Sequence, residues 1–132
     1  MNSLFSCLET YCFHDTVVTA VSPTDSGLTF FFADGLYRSG TDERTPPATM
    51  EIAVIGGFDR AKAWEHVEIL QIRRQKIKEI DLAALVSAVQ KEGFSVENGY
   101  ASPFGPAFLL AGYVGKYRIL VKITELQAIR IG

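Results

Sequence analysis

The chain has 132 residues, which suits one domain and leaves too little for two comfortable cores. With 48% hydrophobic and 21% charged residues it can fill such a core, and its composition is unlike that of disordered chains. A formal net charge of −2 gives no general basic field, so nucleic-acid binding driven by phosphate contacts is not expected, and no apolar run approaches the ~20 residues that span a bilayer.

Residues 1–13 carry no Lys or Arg ahead of an apolar run and contain Glu9, so they do not read as a secretory signal. Cys7 and Cys12 fall outside the C-x-x-C spacing and are too few for a disulfide framework. Two reduced thiols and a cytoplasmic location are the expectation. Residues 15–21 read as a strand, ended by a Ser-Pro-Thr-Asp-Ser-Gly turn over 22–27. Residues 28–32 form an aromatic strand, Ala33-Asp34-Gly35 a tight reversal, and residues 36–39 a return, together a meander.

Residues 40–47 are loop-like, with charged Asp42, Glu43 and Arg44 followed by Pro46 and Pro47. Met50, Ile52 and Val54 alternate as a strand that stops at Gly56 and Gly57. Residues 59–63 are ambiguous. Residues 64–72 alternate and fit a strand slightly better than a helix, the rival being one continuous helix over 60–90. Residues 73–76 form an exposed turn to a short strand over 77–80. Asp81 then opens the strongest helix, with Leu82, Leu85, Val86 and Val89 on one stripe and Gly93 as a stop. Strands follow over 94–100, 107–114 and 117–124, with a loop over 102–106 and a glycine-first reversal at Gly115 and Lys116. Residues 127–131 can add a last strand.

The fold class that results is α+β. A mostly antiparallel twisted sheet of seven to nine strands folds on itself as a single domain over 1–132, with one main helix at about 81–92 closing one face.

Residues with catalytic chemistry are few. His14 and Asp15 are adjacent, and adjacent strand residues point to opposite faces, so no dyad is expected. Only two histidines are present, and no metal-ligand spacing appears. Gly56-Gly57 and Gly112 to Lys116 lack the contexts of dinucleotide and phosphate loops. Arg73, Arg74, Lys76 and Lys78 are the one basic cluster, either a solvated turn or a contact for an acidic partner or nucleic acid. Most aromatic residues read as core, including Tyr100, Tyr113 and Tyr117, while Phe31 and Phe104 are expected to be exposed.

The His14-Asp15 pair leading a strand, the Leu28 to Gly35 strand ending in Asp-Gly, the helix opened by Asp81-Leu82, and the closing strands with Gly112 resemble small bacterial families. These are the immunity proteins of polymorphic toxin and contact-dependent growth inhibition systems. The resemblance implies a cytoplasmic, non-enzymatic protein that binds and neutralises a cognate toxin domain, often a nuclease, without a cofactor. The expected contact surface combines the loops over 40–47 and 101–106 with Asp42, Glu43, Asp59 and Phe104. The alternatives are a small-ligand or lipid-binding β-rich domain using the Phe-rich interior, and an enzyme built on His14 and Asp15.

Overall fold

The computed structural model describes residues 5–102 and 104–132. The reading of the N-terminus as lacking a signal falls partly on residues 1–4, and the loop over 102–106 includes Pro103; both lie outside the described residues. In chain order the elements are α1 (Cys7–Thr10), β1 (Tyr11–Cys12), β2 (Thr16–Val18), β3 (Ala20–Pro23), β4 (Gly27–Phe32), β5 (Tyr37–Arg38) and β6 (Ala48–Val54). A 3₁₀ segment (Arg60–Glu65) precedes β7 (Val67–Arg73), β8 (Lys76–Ile80), α2 (Leu82–Glu92), β9 (Phe94–Ala101), β10 (Phe108–Val114), β11 (Tyr117–Ile123) and β12 (Leu126–Ile131).

The α+β class and the antiparallel pairing hold, but the arrangement corrects the expected single sheet of seven to nine strands. Among the described residues there are twelve strands in three sheets. A six-stranded sheet runs β2-β9-β10-β11-β7-β8, a four-stranded sheet runs β12-β6-β4-β3, and β1 pairs with β5. Alternation explains the inward faces. Leu28, Phe30 and Phe32 of β4 and Met50, Ile52 and Val54 of β6 meet Phe108 and Leu110 of β10 and Ile119, Val121 and Ile123 of β11 in one core. Phe13 joins the layers, its ring centroid 6.0 Å from Phe32 and 6.2 Å from Phe108. Each such fully buried side chain stabilises the fold by about 2 to 3 kcal/mol.

Two further corrections concern the expected meander. The strand read over 15–21 breaks at Thr19. Thr16 and Val18 face inward in the six-stranded sheet, and Val21 faces inward in the four-stranded sheet, so the inward set changes parity where the chain turns from one layer to the other. The Asp34-Gly35 reversal does not return a strand onto β4; Tyr37 and Arg38 pair instead with β1. Gly35 has φ +77, and a side chain there would lie 2.1 Å from the Thr45 carbonyl oxygen, so its glycine serves close backbone approach.

Residues 67–73 are a strand, as alternation favoured, and the continuous helix over 60–90 does not form. Arg74 (φ 51) and Gln75 (φ 66) are both left-handed, as a two-residue type I′ hairpin requires. Asp81 caps α2 through its carboxylate, which accepts from Ala84 N at 2.8 Å, and Gly93 (φ 75) ends it. Leu85 and Val89 bury the helix stripe, and α2 lies against β3, β7 and β10. No helix among the described residues is long and apolar enough to cross a membrane.

Candidate functional site

Four connections meet at one end of the molecule. The Phe58 amide donates to the Asp25 carbonyl (2.8 Å), the Ile55 amide to Glu125 (2.7 Å), the Thr124 amide to His66 (2.9 Å) and the Leu126 amide to Pro106 (2.9 Å). The β3–β4, β6–β7, β9–β10 and β11–β12 connections are thus stitched to one another by backbone bonds. Glu125 sits at φ 54 where the chain passes between the two large sheets, a conformation uncommon for a residue with a side chain.

This loop end carries large apolar side chains in solvent. Trp64 is 72% exposed, Phe104 96% and Ile55 54%, and Tyr100 at the end of β9 is half exposed. Five exposed carboxylates (Asp25, Asp59, Glu65, Glu68 and Glu125) accompany three exposed cations (Arg60, Lys62 and Lys122) on the same connections and strand ends. Asp59 also shapes the backbone, since its carboxylate accepts from Ala61 N at 2.9 Å and starts the 3₁₀ segment that presents Trp64. Beneath Trp64 a hollow of about 570 Å³ is lined by Arg60, Ala63, Val67, Ile80, Asp81 and Leu82.

Phe104 and Asp59 therefore share one end, but Asp42 and Glu43 do not join them. Asp42 and Glu43 precede the start of β6, whereas Asp59 follows its end, about 20 Å away along the strand. The loop with Phe104 goes with Asp59, because Leu126, whose amide donates to Pro106, stands opposite Val54 at the far end of β6. Glu43 is occupied by Arg38 at 3.4 Å. The four residues expected to form one surface fall into two groups.

Asp42 lines a different open hollow of about 510 Å³, with Cys12, His14, Asp15, Tyr37, Gly40 and Thr41. His14 and Asp15 are in contact here, Nε2 lying 3.3 Å from Oδ2, which corrects the expectation that they point apart. Strand alternation does not apply to them, because they form the turn ahead of β2 and Asp15 is left-handed at φ 59. The other ring nitrogen, Nδ1, lies 3.0 Å from the Glu97 carbonyl oxygen. Both ring nitrogens thus lie near oxygens of the chain itself, and the side chains are 66% and 76% exposed. Among the described residues no three His, Cys, Asp or Glu side chains converge as metal ligands.

Sequence reasoning missed Trp64, Ile55 and Tyr100. The signal for Trp64 was Asp59 two residues ahead of Ala61, a capping position that alternation further along masked. Tyr100, Tyr113 and Tyr117, expected in the core, are exposed on the sheet, while Phe31 and Phe104 are exposed as expected. Tyr113 has a partner: its hydroxyl lies 3.2 Å from Arg118, whose guanidinium also meets Glu97 at 2.6 Å. The Tyr113 hydroxyl, with the Glu97 charge, holds the Arg118 guanidinium in its charged form above its ordinary range.

Comparison with protein-family models, with curated proteins and with solved structures finds no match to any of them.

Proposed function

We propose that the chain is a non-enzymatic, cytoplasmic protein-binding domain that covers a basic partner with its loop end, as an immunity protein neutralising a cognate bacterial toxin domain would. The carrying observation is the exposure of Trp64 and Phe104 on backbone-stitched loops where five carboxylates outnumber three cations. Leaving two large aromatic side chains in water forgoes about 2 to 3 kcal/mol each, which a partner recovers by covering them. Aromatic anchors of this kind dominate binding energy, and a carboxylate rim speeds encounter with a basic surface such as the substrate face of a nuclease. The loops belong to two rigid sheets, so their contact residues can differ without cost to the core.

The reading as a small-ligand or lipid carrier needs space among the interior phenylalanines. Phe30, Phe32, Phe94 and Phe108 are instead within the packed core, at most 1% exposed.

The test is protection. If a toxin domain is encoded beside this gene, cells expressing it should survive when the wild-type chain is co-expressed, and calorimetry should show a one-to-one complex; absence of such a gene counts against the reading. A chain carrying Trp64→Ala and Phe104→Ala should protect poorly while remaining folded. Full protection by that variant, or none by the wild type, overturns the reading.

A further inference from the structure

At the other end of the six-stranded sheet, cations gather without a direct ion pair among the described residues. Arg73, Arg74, Lys76 and Lys78 line a hollow of about 350 Å³ with Gln71 and Tyr117. Among the described residues the Lys and Arg contacts to a carboxylate within 4 Å are Arg38–Glu43 and Arg118–Glu97, so none of the four makes one. Register explains the gathering. Ile80 stands opposite Ile69, whose side chain points to the core, so Lys78 and Lys76, two and four residues earlier, share that face. Arg73 is opposite Lys76, and the Arg73 guanidinium lies 5.5 Å from the centre of the Tyr117 ring.

The strand that carries these lysines is an edge. β8 pairs with β7 alone, and alternate residues along it turn their N–H and C=O groups outward. On its other face Ile77 is 66% exposed.

We propose that β8 is a docking edge for an extended acidic segment of a protein partner, which adds as a further strand. Same-face residues along a strand recur every two positions, about 6.6 Å apart. Carboxylates at alternate positions of an incoming strand therefore fall opposite Lys76 and Lys78, and an apolar residue between them covers Ile77. Backbone bonds supply affinity and the alternating side chains supply selectivity. A second copy of this chain is a poor occupant, because pairing two β8 strands sets lysines against lysines. Single-stranded nucleic acid fits less well, since Tyr117 is the one aromatic lining residue and Arg73 already lies over its ring.

The experiment titrates the full chain into a short fluorescein-labelled peptide of alternating Glu and Val and reads anisotropy. Saturable binding is expected, with β8 amides gaining protection from hydrogen exchange. Lys76→Glu with Lys78→Glu should weaken it by about tenfold or more, given two lost charge pairs and two new repulsions. Lys76→Gln with Lys78→Gln should weaken it by a smaller factor and serves if the reversed chain does not fold. Methylating alternate peptide amides should weaken it at least as much. Absence of binding, equal affinity for a methylated or scrambled peptide, or displacement by an equal concentration of oligothymidylate overturns the proposal. Trp64→Ala should leave this affinity unchanged, so failure here and failure at the loop end are read separately.

Discussion

The two ends of the six-stranded sheet solve the problem of exposure in opposite ways. At the loop end, connections between strands hold Trp64, Phe104 and Ile55 in solvent amid five carboxylates and three cations. At the hairpin end, the turn at Arg74 and Gln75 is tight, and unpaired cations share a strand edge with Ile77. Contact by side-chain anchors needs loops that are positioned but free of ladder duties. Contact by backbone addition needs a straight edge with little built upon it. The net charge of −2 does not display this separation, because it sums both ends together with the rest of the chain.

The strongest way to break the comparison is to disturb what both ends share. Gly112 lies in β10 where the pairing with β9 shifts register, and a side chain there would stand 2.0 Å from the Ser95 carbonyl oxygen and 2.7 Å from the Phe94 ring. Backbone cannot yield as a flexible side chain does, so Gly112→Ala should cost about 3 kcal/mol. Urea denaturation would measure it, and binding at both proposed sites should decline together with the folded fraction.

Next in size is the separation itself. Trp64→Ala and Phe104→Ala should each weaken partner binding by about 2 kcal/mol, roughly thirtyfold, while unfolding free energy moves within about 0.5 kcal/mol. Calorimetry on the complex and denaturation of the free chain give the two numbers. Raising salt should weaken the Glu–Val peptide at β8 far more than the partner at the loop end, because exposed ion pairs are screened and apolar burial is not.

The helix that floors the hollow under Trp64 gives a smaller effect. Asp81→Ala removes the carboxylate that accepts from Ala84 N, which should cost about 1 kcal/mol. The melting temperature should fall by about 4 °C, with the β8 edge still competent.

Which parts were legible in the sequence follows from how far each signal extends. β4, β6, β10 and β11 each alternate over six or seven residues, so their inward faces could be read directly. α2 declared itself through Asp81, its stripe and Gly93. The layer change at Thr19 was hidden because Thr16 to Val21 is nearly all β-branched, and a parity flip leaves no mark in such a run. The β1–β5 pairing was hidden because each partner is two residues long. For the site, Phe104 and Asp59 were readable from loop chemistry. Their separation from Asp42 and Glu43 was not, since it depends on which end of β6 each connection leaves.

The smallest expected effect lies away from both ends, in α1, which touches β12. Cys7 is partly buried against the core, and that burial pushes its thiol above the ordinary value of 9.0, outweighing the backbone hydrogen bonds that pull it down. The folded state therefore holds this proton more tightly than the unfolded chain. The associated stability is fully present below the unfolded thiol range and is lost as pH rises through the folded pKa. Alkylation of Cys7 by iodoacetamide, followed by peptide mass analysis, should run slower at pH 9 in the native chain than in urea. Because α1 belongs to neither contact region, saturating the loop end with its partner or β8 with the Glu–Val peptide should leave that rate unchanged. A rate that falls when either site is filled would show that this site is coupled to α1, and a fall with both would mean that the two ends share a responsive element, so the separation drawn between them would then be too sharp.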